Sequence, residues 1–144
     1  MQTTNIDCAG LIRQALDARE KAYAPYSGFL VGAALLAADG NVYTGCNIEN
    51  AAFSPTNCAE RTAFFKAIAD GVRHFSAIAV VGAMQGTAPE AFDYVFPCGV
   101  CRQVMAEFCG EDFQIIAAKS PEDYRVYPLS DLLPEAFGPG DLNK

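Results

Sequence analysis

The sequence predicts an α/β fold: a three-layer α/β/α sandwich around a mixed central sheet. Three observations carry that expectation. Apolar runs flank Asp39-Gly40, the strongest short-range hairpin signal. Two more runs, Ala77 to Gly82 and Gln114 to Ala118, have the continuous apolar character of central strands. Helically spaced segments precede the hairpin and separate the later strands, and strands alternating with helices build layers around a sheet. With 144 residues, 51% of them hydrophobic, the chain has material for one core. It is expected to form a single domain over 1–144, with 138–144 as a flexible tail.

In chain order, Leu11, Ile12, Ala15, Leu16 and Arg19 fall at helical spacing, so a first helix is expected from Ile6 to about Tyr23. Asn5 or Asp7 is placed to cap it and Pro25 to end it. Phe29 to Ala38 reads as a buried strand, and Val42 to about Ile48 as its return partner. Strand alternation then puts Asn47 and Glu49 on one side and Ile48 in the core. Two hydrogen-bonding groups at one strand end suit a polyhydroxylated ligand. A second helix is expected from Cys58 to Asp70 with Gly71 as its stop, and a third, preceded by Pro97, from Cys98 to about Cys109. An irregular loop runs between them through Gly86, Pro89 and Pro97. A short strand near Arg125 to Tyr127 and an amphipathic turn over Leu129 to Phe137 complete the pattern.

Charge and cysteine usage narrow the function. A net charge of −7 repels polyanions, which argues against nucleic acid and leaves a small neutral ligand compatible. Met1 to Asp7 has no basic or apolar export signal, and no apolar run approaches membrane-spanning length. A cytoplasmic protein with no membrane partner is therefore expected, with its six cysteines reduced.

The chemistry concentrates in Cys58-Ala59-Glu60-Arg61 and Pro97-Cys98-Gly99-Val100-Cys101-Arg102. Cys98 and Cys101 offer two thiolates from one helix start, and Cys58 offers a third from another. Three protein ligands leave a tetrahedral zinc one open position, the mark of a catalytic metal. Helix N-termini favour thiolates at both places. Glu60 lies two residues from Cys58, which suits a proton carrier beside the metal. Three thiolates on a divalent cation leave the site negative, so a compensating positive charge is required and Arg61 is assigned that role. Arg102 remains open between that role and a solvated helix face. A bare Cys-x-x-Cys more often forms a structural zinc knuckle or redox pair; the conjunction with Cys58-x-Glu60 favours catalysis. His74 reads as a surface residue, and Cys8, Cys46 and Cys109 as small, partly buried thiols.

With Ala24-Pro25-Tyr26-Ser27-Gly28-Phe29, Gly45-Cys46-Asn47-Ile48-Glu49-Asn50-Ala51 and Leu132-Leu133-Pro134-Glu135-Ala136-Phe137 added to those motifs, the chain resembles the small homotetrameric zinc cytidine deaminases of the three-Cys type. The resemblance implies hydrolytic deamination of cytidine and 2'-deoxycytidine in pyrimidine salvage. It implies one Zn²⁺ per chain on Cys58, Cys98 and Cys101, with Glu60 moving protons between water, the ring and the leaving ammonia. It further implies ribose contacts from Asn47 and Glu49, stacking by Phe29, a backbone N–H from Ala59, and Gln103 helping Arg61 to neutralise thiolates. Phe137 and Ala51 would complete a neighbouring subunit's site. Phe137 also lies beside a polar tail with little of its own chain left to cover it, which favours burial at an interface. Three departures stand out: Phe53 in place of a Tyr, Phe96 before Pro97-Cys98, and a long Ala83 to Phe96 loop. The competing readings are a deaminase of a cytosine-containing antibiotic nucleoside and a non-catalytic zinc-stabilised binding module.

Overall fold

The computed structural model describes residues 6–143. Its elements are α1 (Cys8–Arg19), β1 (Phe29–Ala37), β2 (Val42–Cys46), α2 (Ala59–Ala69), β3 (Phe75–Met84), α3 (Gly99–Phe108), β4 (Gln114–Ser120), β5 (Asp123–Pro128), and the short α4 (Leu129–Leu132) and α5 (Pro139–Leu142). The strands form one sheet in the order β2-β1-β3-β4-β5. β3 and β4 pair in parallel, because the chain between them crosses over through α3; the other pairs are antiparallel.

Strand alternation divides the core into two faces. Leu35, Ile78, Val80 and Ile115 meet Ala63 and Phe64 of α2 and Cys101 and Met105 of α3. Their neighbours Ala34, Ala79, Val81 and Ile116 meet Leu11, Ile12 and Ala15 of α1. The result is the expected three-layer arrangement, with α1 alone on one side. Phe64 anchors the other side, fully buried with its ring 5.1 Å from Phe75 and 6.1 Å from Phe113. Burial of a side chain that size contributes about 2–3 kcal/mol.

Two glycines let helices lie against the sheet. A Cβ on Gly32 would stand 2.0 Å from the Ala15 carbonyl oxygen, and one on Gly45 would stand 2.4 Å from that of Ala59. The approach at Gly45 seats the first turn of α2, which carries Glu60 and Arg61, directly on β2.

Several boundaries differ from those the sequence suggests. Asp7 caps α1 by accepting from the Gly10 N–H at 3.0 Å; Asn5 lies outside the described residues. The helix closes at Arg19, well before Pro25, because Tyr23 is drawn into backbone pairing. Its N–H donates to Asn47 and its carbonyl accepts from Glu49. Ile48 is not in the core. It is 45% exposed, since β2 ends at Cys46 and Ile48 forms isolated bridges with Tyr23 and Asn57, away from the main sheet. The hairpin at Asp39-Gly40 is present, with Gly40 at φ +94°.

Candidate metal centre

Cys58 and Cys98 occupy the same position in different helices. Each is the residue immediately before a helix, in extended conformation, and neither side chain caps its own helix. Their sulfurs are thus free to face outward, and the two helix starts lie on the same side of the sheet. Cys58 Sγ is 3.7 Å from Cys98 Sγ, which is 3.5 Å from Cys101 Sγ. All three lie within 4.8 Å of one another. Tetrahedral zinc with bonds of about 2.3 Å sets its sulfurs roughly 3.8 Å apart, so this triangle fits that ion. Among the described residues no fourth His, Cys, Asp or Glu joins the group.

Without a cation the sulfurs share their charge unevenly. The Cys101 thiol hydrogen-bonds to Cys58 and lowers its pKa to about 5 against the opposing effect of burial, with Arg61 and Cys98 assisting. Cys101 shifts the other way, held protonated by that same bond and by burial. Arg61 Nη2 donates to Cys58 Sγ at 3.2 Å, and its Nε is buried without a partner among the described residues. Glu60 is 4% exposed, and burial raises its carboxyl to about 7, with the Cys58 thiolate adding to the effect. A carboxyl at that value can both take and return a proton near neutrality.

Around this centre, Asn47 continues the ladder that β2 abandons. Its Oδ1 accepts from the Val31 N–H at 2.9 Å and its Nδ2 donates to the Phe29 carbonyl at 2.8 Å. Glu49 accepts from the N–H groups of Tyr26 and Ser27 at 2.9 and 3.1 Å and from the Ser27 hydroxyl. The hydroxyl bond, above all, holds its carboxyl below the ordinary range. Glu49 also lines a cavity of 410 Å³ with Tyr26, Ser27, Asn50, Phe53 and Thr56. Phe29 is half-buried and packs over Gly82; Ala59 is fully buried.

Residues 7–117 match the family described as the cytidine and deoxycytidylate deaminase zinc-binding region. The chain belongs to the cytidine deaminase family. It is 52% identical over 138 residues to a cytidine deaminase of Sporosarcina psychrophila, covering 96% of each chain. It is 50% identical over 133 residues to that of Halalkalibacterium halodurans, covering 92% of this chain and 96% of the relative. The crystal structure of cytidine deaminase from Burkholderia pseudomallei matches with a TM-score of 0.79 at 51% identity, over 89% of this chain and 97% of that one. Zinc is the metal of this family, and the three-thiol group accommodates one ion per chain.

Not every residue expected from the family resemblance reaches the sulfurs. Gln103 donates to the Phe137 carbonyl at 2.8 Å, not to a thiolate. Two residues along a helix turn the side chain by about 200°, so Gln103 faces solvent while Cys101 faces the core. Phe137 is 59% exposed and Ala51 is also exposed. Arg102, left open by the sequence, ties two segments together through its guanidinium. Its Nε donates to the Pro97 carbonyl at 2.7 Å and its Nη1 to that of Leu132 at 2.6 Å. Sequence reasoning missed this tie and the buried Arg19, whose guanidinium donates to the carbonyls of Leu30, Ala83 and Met84. Its one signal was an arginine in register with the apolar stripe of α1.

Burial of Glu60 has a pH-dependent cost. The folded state keeps its proton up to about 7 while the unfolded chain loses it near 4.5, so stability falls between those values as pH rises. In metal-free protein, Glu60→Gln should match the natural chain near pH 4 and exceed it by about 3 kcal/mol at pH 8 in chemical denaturation. Coincident curves at both pH values would mean the carboxyl is not perturbed.

Proposed function

We propose that this chain hydrolytically deaminates cytidine and 2'-deoxycytidine to the corresponding uridines, releasing ammonia, as a step of pyrimidine salvage in the cytoplasm. The observation that carries this reading is a buried carboxyl, Glu60, in the first turn of the helix whose preceding residue is one of three convergent thiols. Cys58, Cys98 and Cys101 would hold zinc, which when bound supplies a Lewis acid able to bring the pKa of water to ~7. Glu60 accepts a proton from the attacking water and delivers it to the ring N3 as oxygen bonds to C4, then moves the proton of the resulting C4 hydroxyl to the amine as the C4–N bond breaks. Its pKa near neutrality suits both directions of transfer. Arg61 withdraws charge from Cys58, offsetting the surplus that three thiolates would otherwise place on the site.

The same geometry supports a nucleoside as substrate. Ala59 is the first residue of α2, so its N–H has no partner within the helix and suits the pyrimidine carbonyl. Asn47 fixes the backbone on either side of Leu30 and so orients Phe29 for stacking, while one of its amide hydrogens is left for a sugar hydroxyl. Glu49 offers the remaining lone pairs of a carboxylate to the 3'-hydroxyl. A carboxylate there and a chain of charge −7 disfavour nucleotides and polynucleotides. The chain would act as a homotetramer, in which the exposed Phe137 and Ala51 close a neighbour's pocket.

Glu60→Ala should retain about one zinc per chain and lose at least ~10²- to 10⁴-fold in turnover of cytidine, measured as ammonia release with zinc assayed on the same sample. Near-natural turnover would remove Glu60 from the reaction. For the shared pocket, Glu60→Ala chains mixed with chains truncated before Phe137 should recover activity once subunits exchange. Verified mixed oligomers that stay inactive would confine Phe137 to its own subunit.

A further inference from the structure

The connection from β3 to α3 is long and contains a single 3₁₀ turn at Pro89–Ala91. Connections of this length without secondary structure are usually mobile or functional. This one is fastened along its length. The Gln85 N–H donates to the Gly28 carbonyl at 2.7 Å, and buried Phe92 lies under the Arg19 guanidinium, 4.7 Å from the ring centre. Beyond that point the side chains alternate as in a strand. Val95 turns toward β3, where it crowds Gly82 together with Phe29 and Val31. Tyr94 and Phe96 turn toward β5.

Tyr94 makes the densest set of contacts. Its hydroxyl donates to the Asp123 carboxylate, while Lys119 Nζ and Arg125 Cζ lie 4.7 and 4.2 Å from its ring centre. Phe96 meets Tyr127 edge-on at 5.7 Å. The cross-strand pairs Ala117/Arg125 and Ile115/Tyr127 place both receiving side chains on the face that carries α2 and α3. Next, Pro97 is fully buried with its carbonyl held by Arg102, and then comes Cys98. Between Tyr94 and Cys98, Val95, Phe96 and Pro97 each pack against the body of the fold.

Cys98 is the sulfur that depends most on such an approach. Cys101 is buried in the core and Cys58 accepts a hydrogen bond from Arg61, whereas Cys98 is exposed and its sulfur meets the other two sulfurs. Its position is therefore set by the backbone that delivers it.

We propose that Tyr94, clamped by Lys119, Asp123 and Arg125, is a positioning residue for the Pro97–Cys98 turn, so that this strap controls how firmly Cys98 holds the metal. The proposal rests on Cys98 as a zinc ligand.

The test is the rate at which the zinc-loaded protein yields its metal to a chromophoric chelator. Tyr94→Leu, which removes the hydrogen bond and both cation–π contacts, should speed release by about 10-fold or more. Tyr94→Phe keeps the ring between the two cations and should stay within about 3-fold of the natural rate. Ile12→Val, in the core on the opposite face, lowers stability without touching the strap and should leave release unchanged. Release from Tyr94→Leu at the natural rate, or equal acceleration by Ile12→Val, overturns the proposal. If Tyr94→Leu does not fold, the double variant Lys119→Met/Arg125→Met carries the same test, with faster release supporting the clamp and the natural rate refuting it. A natural protein that retains no zinc at all would instead remove the reading of Cys98 beneath it.

Discussion

Three sulfurs held within 4.8 Å cannot all be charged unless a cation stands among them. Two thiolates ~3.5 Å apart repel by about 5 kcal/mol at an effective dielectric constant of ~20. The fold brings them together through packing that has nothing to do with sulfur. Gly45 lets α2 settle onto β2, and the crossover between β3 and β4 delivers α3 to the same face. The repulsion this creates is relieved by a divalent ion. Metal binding and the native arrangement of the two helix starts are in this sense one equilibrium.

The rest of the site is shaped by that concentration of negative charge. Arg61 supplies one positive partner to Cys58, and Glu60 must sit beside the thiolates yet out of water. The buried carboxyl destabilises the bare protein locally, and the stabilising burial lies deeper: Phe64 and Ala67 further along α2, Met105 along α3, and the apolar faces of β1, β3 and β4. Each helix thus joins a functional first turn to a core-forming remainder. The geometry of the chemistry is only as firm as that packing and the strap leading to Cys98 allow.

Much of this was legible in the sequence because it rests on local rules. The Asp39-Gly40 turn, the Gly71 stop and the cysteine spacing each act over a few residues, and each matched the structure. Failures occurred where distant chain competed. Tyr23 left its expected helix to pair with residues 47 and 49, and Ile48 lost its core position once β2 ended early. Gln103 illustrates a different limit. Only the family resemblance associated it with the thiolates, and in this chain its exposed side chain donates to the Phe137 carbonyl. Arg19 and Arg102 serve carbonyls brought near by tertiary folding, and no spacing in the sequence encodes such a partner.

Catalysis at this centre requires that three thiolates hold the ion and leave one position to water. Zinc K-edge absorption on the protein as purified measures this directly. Three sulfur neighbours at about 2.3 Å with one oxygen or nitrogen at about 2.0 Å are expected. A shell of four sulfurs would close the site to chemistry, and a shell with fewer than three would break the Cys58–Cys98–Cys101 assignment.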